Sequence, residues 1–402
     1  MQDLKWSRPV KQHRHILLVS FVFFCVTISF YPLAEPASLV SHTLNTARIL
    51  EISLLLVSAV TITAAVLYRR CPIVIAGGAL PVITFTIILF AMFSGFWSID
   101  PFLTFVRAGM LLILLYIAIA TSIYIRDVSS NSIQTTMQTM TYALLGSAVI
   151  LIVANIPLWG TPFPFTEASL WSNRQGRLYF AHVPPLETGE FLSLVIVIAA
   201  FGIRPLALRL GVILALFLLL HLTHSRSLML FTPLALAAGL FQRSMITVRF
   251  VLISAAICVI SVLVIFFVLG DAAKYIPPDF WTLNGRIPLW ELAVAQLEEN
   301  PFVGVGYYAS RYYLTNADFA AGHAHNAYIE TAMCLGLIGV ALLIVFLAYC
   351  IRYSTADKTG FLTATLTLCC LGSIFNPMIF NSTPHTLYLF GIVFAVAQDA
   401  LR

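Results

Sequence analysis

Residues 326–350 read NAYIETAMCLGLIGVALLIVFLAYC, and beyond Glu330 no charged residue occurs until Arg352. A helix rises 1.5 Å per residue and needs about 20 apolar residues to cross the hydrocarbon core of a bilayer. This run meets that length, and the chain repeats the pattern. Comparable runs lie at roughly 15–33, 47–68, 73–94, 103–125, 137–157, 188–203, 206–222, 227–241, 249–270, 359–377 and 384–401, the sixth to eighth in chain order being short enough to merge. The expected fold is an all-α polytopic membrane protein of about twelve transmembrane helices, forming a single membrane domain over 1–402. Composition agrees: 60% of the 402 residues are hydrophobic and 10% charged, against about 25% charged in soluble domains.

The first run follows a basic head (Lys5, Arg8, Lys11, Arg14) with no small-residue cleavage site after it, so it reads as an uncleaved span. The seven cysteines contain no CxxC, and most lie in apolar runs, which argues against a disulfide framework or a zinc site. The net charge of +5 comes from short basic clusters between apolar runs. No basic patch is interleaved with aromatics, so nucleic acid is not an expected partner; membrane lipids are.

Orientation follows the distribution of Lys and Arg. With a cytoplasmic N-terminus, fourteen of the 22 cations fall on the cytoplasmic side and the C-terminus falls there too. Arg48, Arg107, Arg174, Arg177, Arg226, Lys274, Arg286 and Arg311 fall outside. The two long connections, 158–187 and 271–325, are also outside, so any chemistry is expected on that face. The second contains its own helix signal, RIPLWELAVAQLEENP, with Ile287, Trp290, Val294 and Leu297 at helical spacing. The Asn300–Pro301 step should end that helix.

Several engines are missing. No GxxxxGK[ST] phosphate loop occurs, and the eight aspartates stand apart with no DxD pair. Clustered carboxylates for a magnesium-held nucleotide are therefore lacking. The outer arginines are the clearest chemical signal. Arg174, Arg177, Arg226 and Arg286 either anchor to headgroups or present planar forks of donors to phosphate. His325 at the mouth of the 326–350 run is either a hydrogen-bonded structural residue or a base. A helix N-terminus beside it disfavours imidazolium, and a neutral ring can accept a hydroxyl proton. Asn326 and Glu330 share a helical face and could orient it, although Glu330 reads equally as a buried structural acid. A metal site from His323, His325 and Glu330 is disfavoured, because ligands two and five apart do not share a face. His221 and His224 could share one but have no third ligand in view.

NGRIPLWELAVAQLEENPFVGVGYYAS followed by HAHNAYIETAMCLGLIGVALL resembles the signature loop of the O-antigen ligase and polymerase superfamily. The matching positions are Arg286, Trp290, Asn300, Pro301, Gly304, Gly306, His325, Asn326, Glu330, Gly336 and Gly339. SGFWSIDPFLTFVRA and THSRSLML are also similar to the family, the latter through Arg226; GRLYFAHVPPLETGEF is a looser match, with Val183–Pro184 where an asparagine is expected. The likeness covers roughly 90–390. It implies an integral-membrane glycosyltransferase of the bacterial inner membrane, both termini cytoplasmic and the active site periplasmic. Its implied donor is an undecaprenyl-diphosphate-linked polysaccharide, and its acceptor is lipid A-core or a second lipid-linked glycan. Neither metal nor other cofactor is implied. His325 would then be the base, and Arg226 and Arg286 would stabilise the diphosphate. Arg174, Arg177, Asn326, Glu330, Trp290 and His323 would line the substrates. A ligase, a polymerase and a protein O-oligosaccharyltransferase share this donor chemistry. A transporter would instead place charges and Gly- or Pro-broken helices at mid-membrane.

Overall fold

A computed structural model describes residues 7–30, 46–73, 78–129, 131–155, 178, 185–242, 283, 285–315, 322–381 and 383–399. Among these residues the regular structure is helical, with no strand. The helices are α1 (Ser7–Ser29), α2 (Thr46–Arg69), α3 (Leu80–Phe93), α4 (Pro101–Val128), α5 (Ser132–Asn155), α6 (Pro185–Gly202), α7 (Leu206–Leu222) and α8 (Arg226–Gln242). After these come α9 (Arg286–Glu299), α10 (Ser310–Thr315), α11 (Ala327–Ala356), α12 (Phe361–Gly372) and α13 (Pro384–Asp399). Eleven of the twelve apolar runs fall on helices; the run at 249–270 lies outside the described residues. Five helices are long and apolar enough to cross a membrane: Ile49–Arg69, Pro101–Val128, Ser132–Ala154, Pro185–Gly202 and Ala327–Ala356. Others, including α3, α7, α8 and α12, are apolar but shorter than a full span.

The centre of the bundle is α13, whose residues Pro384–Gln398 are all buried. It packs on α4, α5, α11 and α12, and a helix apolar on every face is stable only when enclosed this way. The bundle has two chemically distinct ends. At one, Arg69 pairs with Asp127 at 3.1 Å and reaches the His15 ring, while the Asp357 carboxylate caps the α11–α12 turn by accepting from Thr359 and Leu362. At the other end meet the 94–100 hairpin, the starts of α6 and α8, the α9–α10 segment and the loop after α12.

Helix α11 decides how that second end is built. Asn326 caps it, its side-chain oxygen accepting from the Tyr328 and Ile329 amides at 2.9 and 3.1 Å. The helix breaks at Gly336 (φ 64°, ψ −165°), about 14 Å along at 1.5 Å per residue. A break at that depth frees backbone groups that lipid cannot satisfy. The segment Pro301–Gly306 fills it. Val305 and Gly306 amides donate to the Met333 and Cys334 carbonyls at 3.0 and 2.9 Å. In return, the Leu337 and Ile338 amides donate to the Pro301 and Phe302 carbonyls at 2.8 and 3.2 Å. The approach is backbone to backbone, so a Cβ on Gly336 would lie 2.3 Å from the Phe302 carbonyl carbon, and one on Gly304 would lie 2.4 Å from Cys334.

The loop helix α9 ends at Asn300, as its sequence predicts. Its inner face differs from the expected one. Leu289 and Ala293 are the buried positions, with Trp290 packed beside them, whereas Ile287 and Val294 are 37% and 45% exposed. The face is set by the fit against Val305, Ala309 and Met333, where a small residue is needed, and not by hydrophobicity alone.

Gly336→Ala combines a left-handed backbone with a backbone clash and should cost about 3 kcal/mol or more. Thermal unfolding of the detergent-purified protein is expected to show a clear drop in Tm, whereas Gly109→Ala, where a Cβ meets open space, should leave it within about a degree or two.

Candidate functional site

The 323–326 strand is held from both sides at one residue. The Ala324 amide donates to Glu330 Oε2 at 2.7 Å, and its carbonyl accepts from the Trp290 indole at 2.8 Å. Glu330 also takes the Ser310 hydroxyl and lies 3.6 Å from the Cys334 thiol. Its carboxylate therefore ties α10, α11 and the strand together. Trp290 does the same for α9. The structure thus gives Glu330, Trp290 and the capping Asn326 contacts that fix the site's frame.

Pinning Ala324 sets His323 and His325 side by side, ring centroids 4.2 Å apart at 65°. His323 Nδ1 accepts from the His325 amide at 3.1 Å, which assigns its proton to Nε2. His325 has φ +50°, a left-handed conformation rare outside glycine, and it turns the chain into α11. Its Nδ1 is buried and has no hydrogen-bond partner among the described residues. Burial lowers its pKa to about 4, helped by the Arg286 charge and opposed by Asn376. The ring is neutral at physiological pH, as its place before a helix suggests, although burial is the larger cause. His323 is held well below the usual imidazole range by burial, with smaller contributions from His325, Arg311 and Arg286.

Arg286 is the first residue of α9, behind Gly285 in a left-handed conformation. Its guanidinium lies 5.3 Å from the Phe375 ring centroid, a cation–π contact, and on the opposite side Phe231 of α8 stacks near that ring at 5.9 Å. Arg226 is exposed at the start of α8. Its neighbour Ser225 reaches the Pro185 carbonyl of α6 at 3.4 Å, so the starts of α6, α8 and α9 form one rim. Arg174 and Arg177 lie outside the described residues. Leu178, which follows them, donates to the Leu222 carbonyl at 2.8 Å and brings that loop to the end of α7.

Sequence reasoning counted Arg311 among the outer cations but gave it no role. It lies 4.0 Å from the Tyr308 ring centroid and donates to the Tyr308 hydroxyl at 2.6 Å, while its buried Nε has no partner. With His323 and Glu330 it lines the polar end of a cavity whose apolar wall comes from α3, α4 and α11. Arg107 faces the same tyrosine at 4.8 Å and is paired with Glu51 at 3.5 Å. Sequence reasoning also missed Glu187, Glu190 and Asn376. A signal existed for the acids: two carboxylates three apart, in LETGEF, opening an otherwise apolar run. Asn376 offered none.

The SGFWSIDPFLTF hairpin acts as a clamp on this assembly. Ser94 accepts from the Tyr307 amide at 2.7 Å, Thr104 donates to its carbonyl at 2.8 Å, and Asp100 accepts from the Tyr312 hydroxyl at 2.7 Å. Among the described residues no three His, Cys, Asp or Glu side chains converge as a metal site.

A histidine neutral when folded and ordinary when unfolded makes stability depend on pH. Between about 6.5 and 4 the unfolded chain takes up a proton at His325 that the folded chain refuses, so stability falls as pH drops through this window. The Tm should decline from pH 7 to 5, and His325→Gln should flatten part of that slope.

No curated protein matches the chain by sequence. The family model Wzy_C, described as O-antigen ligase, matches residues 210–344. That segment holds Arg226, Arg286, Trp290, His323, His325, Asn326 and Glu330, whereas Arg174, Arg177 and the 94–104 hairpin fall outside it. Over this third of the chain, the likeness read from the loop motifs is to the O-antigen ligase superfamily.

Proposed function

We propose that the protein transfers a glycan from undecaprenyl diphosphate to an acceptor hydroxyl on the periplasmic face of the bacterial inner membrane, with both termini in the cytoplasm. The observation that carries this reading is a neutral, buried imidazole with an unpartnered Nδ1 beside an arginine, inside a segment that matches an O-antigen ligase family. The acceptor is lipid A-core in the primary reading and a second lipid-linked glycan in the alternative.

In this mechanism the acceptor hydroxyl gives its proton to His325 Nδ1 as its oxygen attacks the anomeric carbon. The bond from that carbon to the diphosphate breaks on the opposite face, so the centre inverts. Undecaprenyl diphosphate leaves with both electrons of that bond. Arg286 holds the charge that grows on it, and Arg226, Arg174 and Arg177 complete the clamp. Preorganised donors of this kind contribute about 3 kcal/mol each in comparable sites. The binding order has a consequence for the base. Unpaired, the Arg286 charge depresses His325; a diphosphate on Arg286 offsets that charge and raises the basicity of the imidazole. The base strengthens once the donor is in place.

A transporter would also use a broken helix, and α11 is broken. The four backbone groups at Gly336 are, however, already bonded to Pro301, Phe302, Val305 and Gly306, which leaves them none to offer a passing ion. The unassigned polar groups gather at the loop end, where a two-substrate transferase needs them.

A purified reaction with undecaprenyl-diphosphate glycan, offered lipid A-core or a second lipid-linked glycan, identifies the acceptor through its product. His325→Ala should lower transfer by about 10²–10⁴-fold with membrane insertion intact. Retained transfer would remove His325 from the chemistry. Arg286→Lys should be damaging, since an ammonium cannot reproduce a bidentate fork. EDTA should leave the rate unchanged; loss of activity restored by a divalent cation would overturn the metal-free mechanism.

A further inference from the structure

A base that becomes a cation beside Arg286 in a buried site needs a counter-charge. The described residues offer three acids near the histidines. Glu330 is already committed, its oxygens taken by Ser310 and the Ala324 amide. Glu187 opens α6 and is only partly buried, and the cation that acts on it is Arg311. Glu190, one turn further along α6, is buried. An acid enclosed in an apolar span is costly unless it is used.

Asn376 connects Glu190 to the histidine. It is buried in the loop after α12, its amide interacts with the Glu190 carboxyl, and its side chain favours the protonated His325 ring. The placement is fixed by backbone: the Ala327 amide donates to the Ser373 carbonyl at 2.8 Å, and Phe375 lies beneath Arg286. Asn376 Oδ1 is buried with no hydrogen-bond partner, and so is His325 Nδ1. Two unfinished polar atoms at one junction mark a contact completed in another protonation or ligand state.

We propose that Glu190 and Asn376 are positioning residues for His325: Glu190 holds the Asn376 amide so that its oxygen faces the imidazole and stabilises the imidazolium formed when the acceptor proton arrives. This rests on the transferase reading above. The proton stays on His325; neither Asn376 nor Glu190 takes it. The arrangement parallels the buried acid that steadies a catalytic histidine in serine hydrolases, with an amide interposed. The charged or titratable groups facing His325 are Arg286 from α9, His323 from its own strand and, through Asn376, Glu190 from α6; Arg286 and Glu187 act in turn on Glu190.

The test compares the full-length wild type with Glu190→Gln, Asn376→Ala and Asn376→Asp in the purified transfer reaction. Glu190→Gln and Asn376→Ala should lower kcat by on the order of 10²-fold, with the donor KM within about threefold, since the loss falls on the transition state. Asn376→Asp supplies the negative charge directly and should recover much of the kcat lost in Asn376→Ala. The acid limb of the rate profile should move to lower pH in Glu190→Gln, a shift that simple misfolding would not produce. In parallel, site-resolved diethyl pyrocarbonate labelling of His325 against pH reads its protonation without needing turnover, and the midpoint should fall in Glu190→Gln. An active wild type whose Glu190→Gln variant keeps its kcat, acid limb and labelling midpoint would overturn the proposal. A folded wild type that transfers no glycan overturns the transferase reading instead, and the labelling midpoint still decides whether Glu190 acts on His325.

Discussion

Four reciprocal backbone hydrogen bonds between the Pro301–Gly306 turn and the break in α11 are the contact on which the functional end of this protein depends. An intact α11 would have no free carbonyl at Met333 or Cys334 and no place to seat the turn. A turn without glycine at 304 could not approach within backbone distance. The two features only make sense together: a helix gives up part of its own ladder and receives a replacement from another part of the chain. Everything that follows in sequence, α10 and then the 323–326 strand, starts from that anchor. Because the anchor sits about 14 Å along a span, the loop is rooted in the bundle and does not merely lie on it.

From this anchor the frame is assembled by contacts that leave the chemical groups free. Glu330 and Trp290 spend their polar atoms on Ala324, and Asn326 spends its own on the first turn of α11. His325 is left with an open nitrogen, Arg286 with a guanidinium over an aromatic face, and Arg311 with an unpartnered Nε. Groups that hold the frame and groups open to a ligand are thereby separated on adjacent residues. A glutamate five residues from the histidine holds the backbone that presents it.

The fold was legible because membrane spans are written in composition. Uncharged runs near twenty residues mark helices whatever they pack against, and eleven of the runs fall on helices among the described residues. The shorter helices were less legible as spans, since α8 carries Pro233 and α12 has only 12 residues. His325, Arg286 and Trp290 were legible through their spacing on one loop and at one helix mouth. The break at Gly336 was visible only as a glycine; its conformation depends on a turn thirty residues upstream. Asn376 and Glu190 were illegible as partners of His325, because nothing local relates α6 to the loop after α12. The inner face of α9 was misread for a related reason: the surface it packs on selects Ala293 over the larger Ile287 and Val294.

Hydrogen-bond completeness separates the scaffold from the site more sharply than residue type does. Along the bundle, hydroxyls bond back to the preceding turn, as Thr27 does to Phe23, Thr84 to Leu80, Ser147 to Ala143 and Thr365 to Phe361. Such a hydroxyl needs nothing more and behaves as a small apolar residue. In the segment 373–385, by contrast, Ser373 Oγ, Asn376 Oδ1, Thr383 Oγ1 and His385 Nε2 are all buried without partners. Leaving a buried polar atom unsatisfied costs about 1–3 kcal/mol, so a stable bundle tolerates several only where water or a substrate completes them. That segment lies against His325, Arg286 and the start of α6. The chain therefore concentrates its unmet hydrogen-bonding capacity at the junction where a hydroxyl, a diphosphate and an imidazole have to meet.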